Sequence, residues 1–362
     1  MPTREEHPFL RAIPIDIEGL YEKVDEPLPH SSKKWWWCWG GVVGLLFLVQ
    51  AVTGLLLAFY YRAEPATAHQ SIQYITENAR YGWLIRSIHQ WGATFMVVAL
   101  FLHMLRVFVT GAYRDGRWTT WVAGVFLLGT TLGLAFTGYS LVYDQTSYWA
   151  VTVTGNILAQ VPFIGGTLKK FFLAGDGINQ ATLSRMYALH AQVLPAALIV
   201  FGLLHLFFIR LLGMYLPGDE KDIQEERELT AKEGPYHFFP DHMLSELAVF
   251  LYIFLVILFL SMIFTAKMGA PADPTVTPAH IKPEWYFYPF YHLLKLVPGT
   301  VGVALMGIIG GALLFWPFLD RILFTKVDRA LKWRFEVGIL VGTVFLAFYL
   351  AWAYIEATGP GA

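Results

Sequence analysis

The sequence predicts an all-α integral membrane protein: a four-helix bundle followed by three more transmembrane helices. Three observations predict it. Of 362 residues, 56% are hydrophobic and only 15% charged, with a mean hydropathy of +0.49, unlike a soluble globule. Seven apolar stretches are long enough to cross about 30 Å of hydrocarbon. Four histidines stand inside two of those stretches.

The spans are residues 38–60, 87–109, 119–139, 187–211, 245–266, 299–319 and 336–356. An odd number puts the two termini on opposite sides. With the N-terminus inside, the inner segments carry 16 Lys and Arg and the outer segments nine, so the positive-inside rule makes the N-terminus cytoplasmic. Residues 1–34 are polar and show no cleavable signal pattern. Residues 35–215 form the four-helix part. A charged segment, 216–244, reads as a cytoplasmic linker to the three-helix part, 245–362. The outer segment between spans three and four runs about 45 residues, long enough to expect a pair of short interfacial helices. A net charge of −1 argues against a nucleic-acid partner. A single cysteine excludes an intrachain disulfide framework and a cysteine-cluster metal site.

His89 and His103 are 14 residues apart in span two, and His190 and His205 are 15 apart in span four. On a helix such steps return a side chain to within roughly 40 to 60° of its starting direction, about 21 to 23 Å further along. Two such helices face to face offer two bis-imidazole sites at two depths. An imidazole in an apolar span needs a partner, and a haem iron with two axial histidines supplies one. Gly40 and Gly54 in span one, and Gly124 and Gly138 in span three, are also 14 apart; each leaves room where a porphyrin edge approaches a backbone. Threading places His89 and His190 near the outer face, His103 and His205 near the inner one. Arg86 and Arg106 each lie three residues from a histidine and can reach haem propionates, as can Arg210.

The runs GWLIRSIHQW, HMLRVF, GYSLVYDQTSYWAV and PEWYFYPFY resemble the cytochrome b/b6 family, the diheme subunit of quinol-oxidising cytochrome bc complexes, over nearly the whole chain. The 15-residue histidine interval, GWLIRS and three C-terminal spans resemble the branch that splits into cytochrome b6 and subunit IV, here joined in one chain. The resemblance implies a lower-potential haem b on His89 and His190 and a higher-potential one on His103 and His205. It implies quinol oxidation at an outer site, transmembrane electron transfer and quinone reduction at an inner site, coupled to proton translocation. Glu284 would accept a quinol proton, with Tyr286 and Tyr291 near the ring. Partners would be a Rieske-type iron–sulfur subunit, a c-type cytochrome and the quinone pool, in a homodimeric complex of an energy-transducing, bacterial inner membrane.

Cys38, in WWWCWGG, resembles the cysteine that in one branch binds a third, c-type haem by a single thioether. Two departures stand out: Val142 and Tyr143 replace the usual Pro-Trp, and Lys295 replaces an arginine. His237, Asp241 and His242 could carry protons, although a solvated surface cluster is the plainer expectation. A diheme membrane anchor of a hydrogenase or formate dehydrogenase also uses bis-histidine sites, but it does not explain PEWY or spans five to seven.

Overall fold

The computed structural model describes residues 27–215, 220–278 and 282–324, together with Gly338, Gly342, Tyr349 and Trp352. Most of residues 1–34 and of the stretch 336–356 lies outside the described residues.

Among the described residues twelve helices are bounded: α1 Trp39–Ala58, α2 Ala68–Glu77, α3 Gly82–Thr110, α4 Trp118–Ser140, α5 Gln145–Ala159, α6 Gly165–Leu173, α7 Gln180–Leu212, α8 Glu220–Glu233, α9 Met243–Ile263, α10 Tyr288–Leu296, α11 Gly299–Leu314 and α12 Trp316–Phe324. Among the described residues α1, α3, α4, α7 and α9 are long and apolar enough to cross a membrane. They turn large apolar side chains outward, such as Leu203 and Leu206 on α7 and Leu255 on α9. That outward face suits lipid, which offers no penalty for exposed leucine.

Packing divides the bundle into two tight pairs, α1 with α3 and α4 with α7, which touch each other little. α9 lies across α1 and α3. The core of this half is Val42, Leu46, Ile88, Met96, Ala99, Leu198, Ile253 and Ile257. The expected short helices between spans three and four are present as α5 and α6, packed on each other. α2 is an additional amphipathic helix against α3.

Three features differ from the sequence expectation. α3 and α7 begin five and seven residues earlier than the hydropathy indicates, because hydropathy marks only the part inside hydrocarbon and a helix continues beyond it. The sixth span is broken: α11 and α12 meet at 79°. Pro317 cannot donate the hydrogen bond that would continue α11, and the corner is held from outside. Trp316 donates to the Tyr113 hydroxyl at 3.0 Å, and Arg114 forms a two-pronged ion pair with Asp320 at 2.9 and 3.1 Å.

The third difference is in the charged segment, which is not a free tether. α8 lies against the N-terminal strap, where the Glu226 carboxylate meets His30 Nδ1 at 3.0 Å and Glu233 meets Lys33 at 3.4 Å. Tyr236 and His237 then pair antiparallel with Leu28 and Pro27. A single turn with i→i+5 bonds, Phe238–His242, leads into α9.

Candidate functional site

The four histidines meet in two pairs across the gap between the tight helix pairs. The rings of His89 on α3 and His190 on α7 have centroids 6.1 Å apart at 79°. Those of His103 and His205 are 6.3 Å apart at 77°. A metal–imidazole bond of about 2.0–2.1 Å on each side, with each ring centre roughly 1.1 Å beyond its nitrogen, requires about 6.3 Å. The rings stay half-buried although they sit deep between the helices, so open space lies beside them. Both observations fit two bis-histidine haems.

Second partners set the rings. His205 Nδ1 lies 2.9 Å from the Thr120 carbonyl and His190 Nδ1 3.0 Å from the Leu134 carbonyl. A carbonyl only accepts, so both nitrogens carry the proton and Nε2 keeps its lone pair for the other side. His89 Nδ1 is 2.8 Å from Thr53 Oγ1. That hydroxyl donates to the Val49 carbonyl at 2.6 Å, so its oxygen accepts from His89 and the same tautomer results. His103 differs: its Nδ1 neighbour is the Arg106 guanidinium, at 3.5 Å.

The four glycines make room for the imidazoles themselves. A Cβ on Gly54 would meet His89 Cε1 at 3.2 Å, on Gly40 His103 at 3.2 Å, on Gly124 His205 at 3.4 Å and on Gly138 His190 at 2.5 Å. Each ring is thus seated against a bare stretch of the neighbouring helix.

The three arginines have different surroundings. Arg86 donates to the Ala266 and Lys267 carbonyls at 2.8 and 2.7 Å. Its guanidinium therefore holds the segment after α9. Arg106 lies over Trp37, 4.7 Å from the ring centre, and its Nε is buried without a hydrogen-bond partner. An orphaned buried donor three residues from His103 fits an anionic group there. Arg210 sits in the last turn of α7 and is exposed.

Cys38 caps the start of α1 and is 1% exposed. The Glu246 carboxylate lies over neighbouring Gly41, where a Cβ would overlap it. His242, 3.4 Å from Glu246, is 2% exposed with an unpartnered Nδ1. It is therefore not part of a solvated cluster, whereas Asp241 is exposed. The turn before α9 folds His242 inward.

At the His89 end, Glu284 is the N-cap of the short turn Trp285–Phe287 that opens α10. It is half-buried, and loss of water raises its carboxyl above the ordinary range. The Tyr139 hydroxyl lies within electrostatic range of Glu284, Tyr286, Tyr288 and Asp144. Tyr286 is buried; Tyr291 stands under Lys295, whose ammonium is 4.4 Å from its ring centre. Where proline is usual, Val142 donates to the Tyr139 carbonyl at 3.3 Å, a bond proline cannot make. The chain then turns through Tyr143 at φ 53°.

Sequence reasoning missed Thr53, Thr137 and Asp144. The threonines carry a signal, since Thr-Gly occurs at 53–54 and again at 137–138. Thr137 lies 3.3 Å from His190 Nδ1. Asp144, 8% exposed, caps α5 through Ser147 and accepts from the Gly269 amide at 3.0 Å; an Asp with Ser three residues on is a recognisable N-cap.

Two family models match the chain: cytochrome b/b6/petB over residues 24–213, and cytochrome b (C-terminal)/b6/petD over residues 271–358. A solved chain titled "Hyperthermophilic respiratory Complex III" is similar at a TM-score of 0.81 and 25% identity, over 96% of this chain and 90% of that one.

Proposed function

From the premise that this chain belongs to the cytochrome b/b6 family, we propose that it is the fused, b6-plus-subunit-IV type of cytochrome b subunit in a quinol-oxidising bc-type complex. It oxidises quinol near Glu284, reduces quinone near His103 and Arg106, and stores the difference as a proton gradient. The facing histidine pairs are the observation that carries the reading, because their separation suits an iron between each pair.

His89 and His190 hold one haem b, His103 and His205 the other. Bound there, the haems supply one-electron carriers at two depths, which allows the two electrons of a quinol to part. The protein fixes what those carriers need. Thr53, Leu134 and Thr120 hold three of the imidazoles in the ligating tautomer, and Arg106 places a positive charge beside the His103 pair. Moving one charge through the bilayer is worth about 2.3 kcal/mol per 100 mV.

Glu284 takes a quinol proton on a carboxylate oxygen. Its half-buried place beside Tyr286 and Tyr139 keeps its proton affinity high enough to accept and to release outward. One electron of the quinol goes to a Rieske-type iron–sulfur subunit, which passes it to a c-type cytochrome, and the second goes to the haem of His89 and His190. The excess of Lys and Arg on the His103 side supports a cytoplasmic N-terminus in a bacterial inner membrane, and the assembly is a homodimer. A third haem, of c type, is attached through Cys38. Haem-stained denaturing electrophoresis tests it: a stained band at this chain's size supports the third haem, and an unstained one excludes it.

The decisive experiment for the whole reading is quinol oxidation by the isolated complex with Glu284→Gln. Two b-type signals in the visible spectrum and a rate reduced tenfold or more are expected. Full activity in the variant would overturn the role of Glu284, and absence of b-type signals would overturn the haem sites.

A further inference from the structure

Tyr349 and Trp352 stand about one helical turn apart and meet neighbouring parts of the Glu284 region. Tyr349 donates its phenolic O–H to the Trp285 carbonyl at 2.8 Å, and the two rings meet edge to face with centroids 6.3 Å apart. Trp352 lies 4.4 Å from the His292 ring on α10, at 88°. The Trp285 carbonyl also accepts the Tyr288 amide, so both of its lone pairs are engaged. On the other side of the turn, the Phe287 amide donates to the Glu284 carbonyl at 2.9 Å. The peptide units either side of Trp285 are thus fixed, one by the Phe287 amide and the other by the Tyr288 amide and the Tyr349 hydroxyl together.

Gly338 lies against Val109 and Gly342 against Leu105, at the His103 end of α3. A phenylalanine would keep the edge-to-face contact and lose the hydrogen bond to the Trp285 carbonyl, as well as the electrostatic interaction of the phenol with Tyr288.

We propose that Tyr349 is a positioning residue for quinol oxidation: by pinning the Trp285 carbonyl it sets the direction in which the Glu284 side chain leaves the backbone. The inference rests on the reading of Glu284 as proton acceptor. The groups facing Glu284 are Tyr139 from α4 and Tyr286 from its own turn, with Asp144 and Tyr288 completing the set around Tyr139. Releasing the turn lets the carboxylate move toward water, which lowers its proton affinity while leaving the quinol pocket in place.

The test compares Tyr349→Phe, Tyr349→His and Glu284→Gln in the intact complex, by steady-state quinol oxidation across pH. Tyr349→Phe is expected to keep the haem spectrum and KM while kcat falls about three- to tenfold, the size of one hydrogen bond. The rising limb of its pH profile moves to lower pH. Tyr349→His, which keeps a ring and a donor, recovers part of the rate, and it carries the test if the phenylalanine variant does not assemble. Wild-type kinetics in Tyr349→Phe, or a uniform loss with an unmoved limb, overturns the proposal. So does a histidine variant no better than phenylalanine. If Glu284→Gln itself keeps the full rate and the limb, the proton-acceptor reading falls; if it loses the limb while Tyr349→Phe changes nothing, only the role of Tyr349 falls.

Discussion

Leu194 donates its backbone N–H to the carbonyl of Leu189, five residues back, in a single π turn that contains His190. A π turn holds one residue more than an α turn. It stands immediately before Pro195, which has no N–H with which to continue an α ladder. The extra residue accounts for the unequal intervals: 15 residues from His190 to His205 cover the ground that 14 cover between His89 and His103. The two helices therefore present their histidines at matching heights and angles, which the nearly equal pair separations of 6.1 and 6.3 Å express.

Deleting Ala191 converts the π turn to an α turn and leaves His190 and His205 in register. Both b haems are expected to remain. Deleting Val98, between His89 and His103 in a helix with no spare residue, turns one histidine by about 100° relative to the other, and one haem is lost. Haem-to-protein ratios and redox titration of the two variants decide it. The opposite pattern, with the Ala191 deletion losing a haem and the Val98 deletion keeping both, would refute the register argument.

This interval shows how far the sequence reaches. The histidines, the 14-residue glycine steps and the apolar spans are periodic signals, and periodicity survives folding, so the bundle and its four candidate ligands were legible. The π turn was visible only as an irregular number. The partners of the imidazoles were less so, because Leu134 and Thr120 contribute carbonyls that every residue has. Arg86 looked like a propionate partner from its distance to His89 along α3; its direction depends on a strap 180 residues later in the chain. The corner at Phe315 needed Pro317 to be weighed against a continuous apolar run, and its clamp comes from Arg114, 206 residues from Asp320. The inward fold of His242 likewise depends on a turn whose neighbours, Tyr236 and the N-terminal strap, are brought in by pairing that no local pattern announces.

The glycines differ in how much room they have to spare. A Cβ on Gly138 would stand 2.5 Å from His190 Cε1, whereas on Gly124 it would stand 3.4 Å from His205. Gly138→Ala is expected to displace the His190 ring and abolish the haem of the His89 pair, leaving the other spectrally intact. Gly124→Ala needs a shift of a few tenths of an ångström and should retain both. Low-temperature visible spectra distinguish the two haems; equal effects of the two substitutions would contradict the packing assigned here.

Arg106 is the positive charge nearest the His103 pair, and its buried Nε has no partner. A cation stabilises the reduced, less positive state of a nearby iron, so Arg106→Gln should lower the potential of that haem by about 60 mV, the equivalent of roughly 1.4 kcal/mol for one electron. Arg86→Gln should leave both potentials within 20 mV or so and instead loosen the strap at Ala266, on the general footing that a charge acts through proximity. Potentiometric titration reads both. A larger shift from Arg86 than from Arg106 would make Arg86 the propionate partner.

Glu284 gives two readouts that run in opposite directions. Burial raises its folded-state proton affinity, whereas the unfolded carboxyl titrates near the ordinary value of about 4.3. The folded protein thus holds more proton between those two values, and stability falls as pH rises through that window. The contribution is complete below the unfolded value and gone above the folded one. Glu284→Gln, a permanent copy of the protonated form, should match wild type in acid and become the more stable protein as pH rises. Quinol oxidation needs the carboxylate, so the wild-type rate climbs over the same window while the variant stays low and flat. Thermal unfolding and turnover, followed across pH on the same two complexes, test both halves. Parallel stability curves would mean that Glu284 is not desolvated, and a climbing rate in the variant would mean that another group accepts the proton.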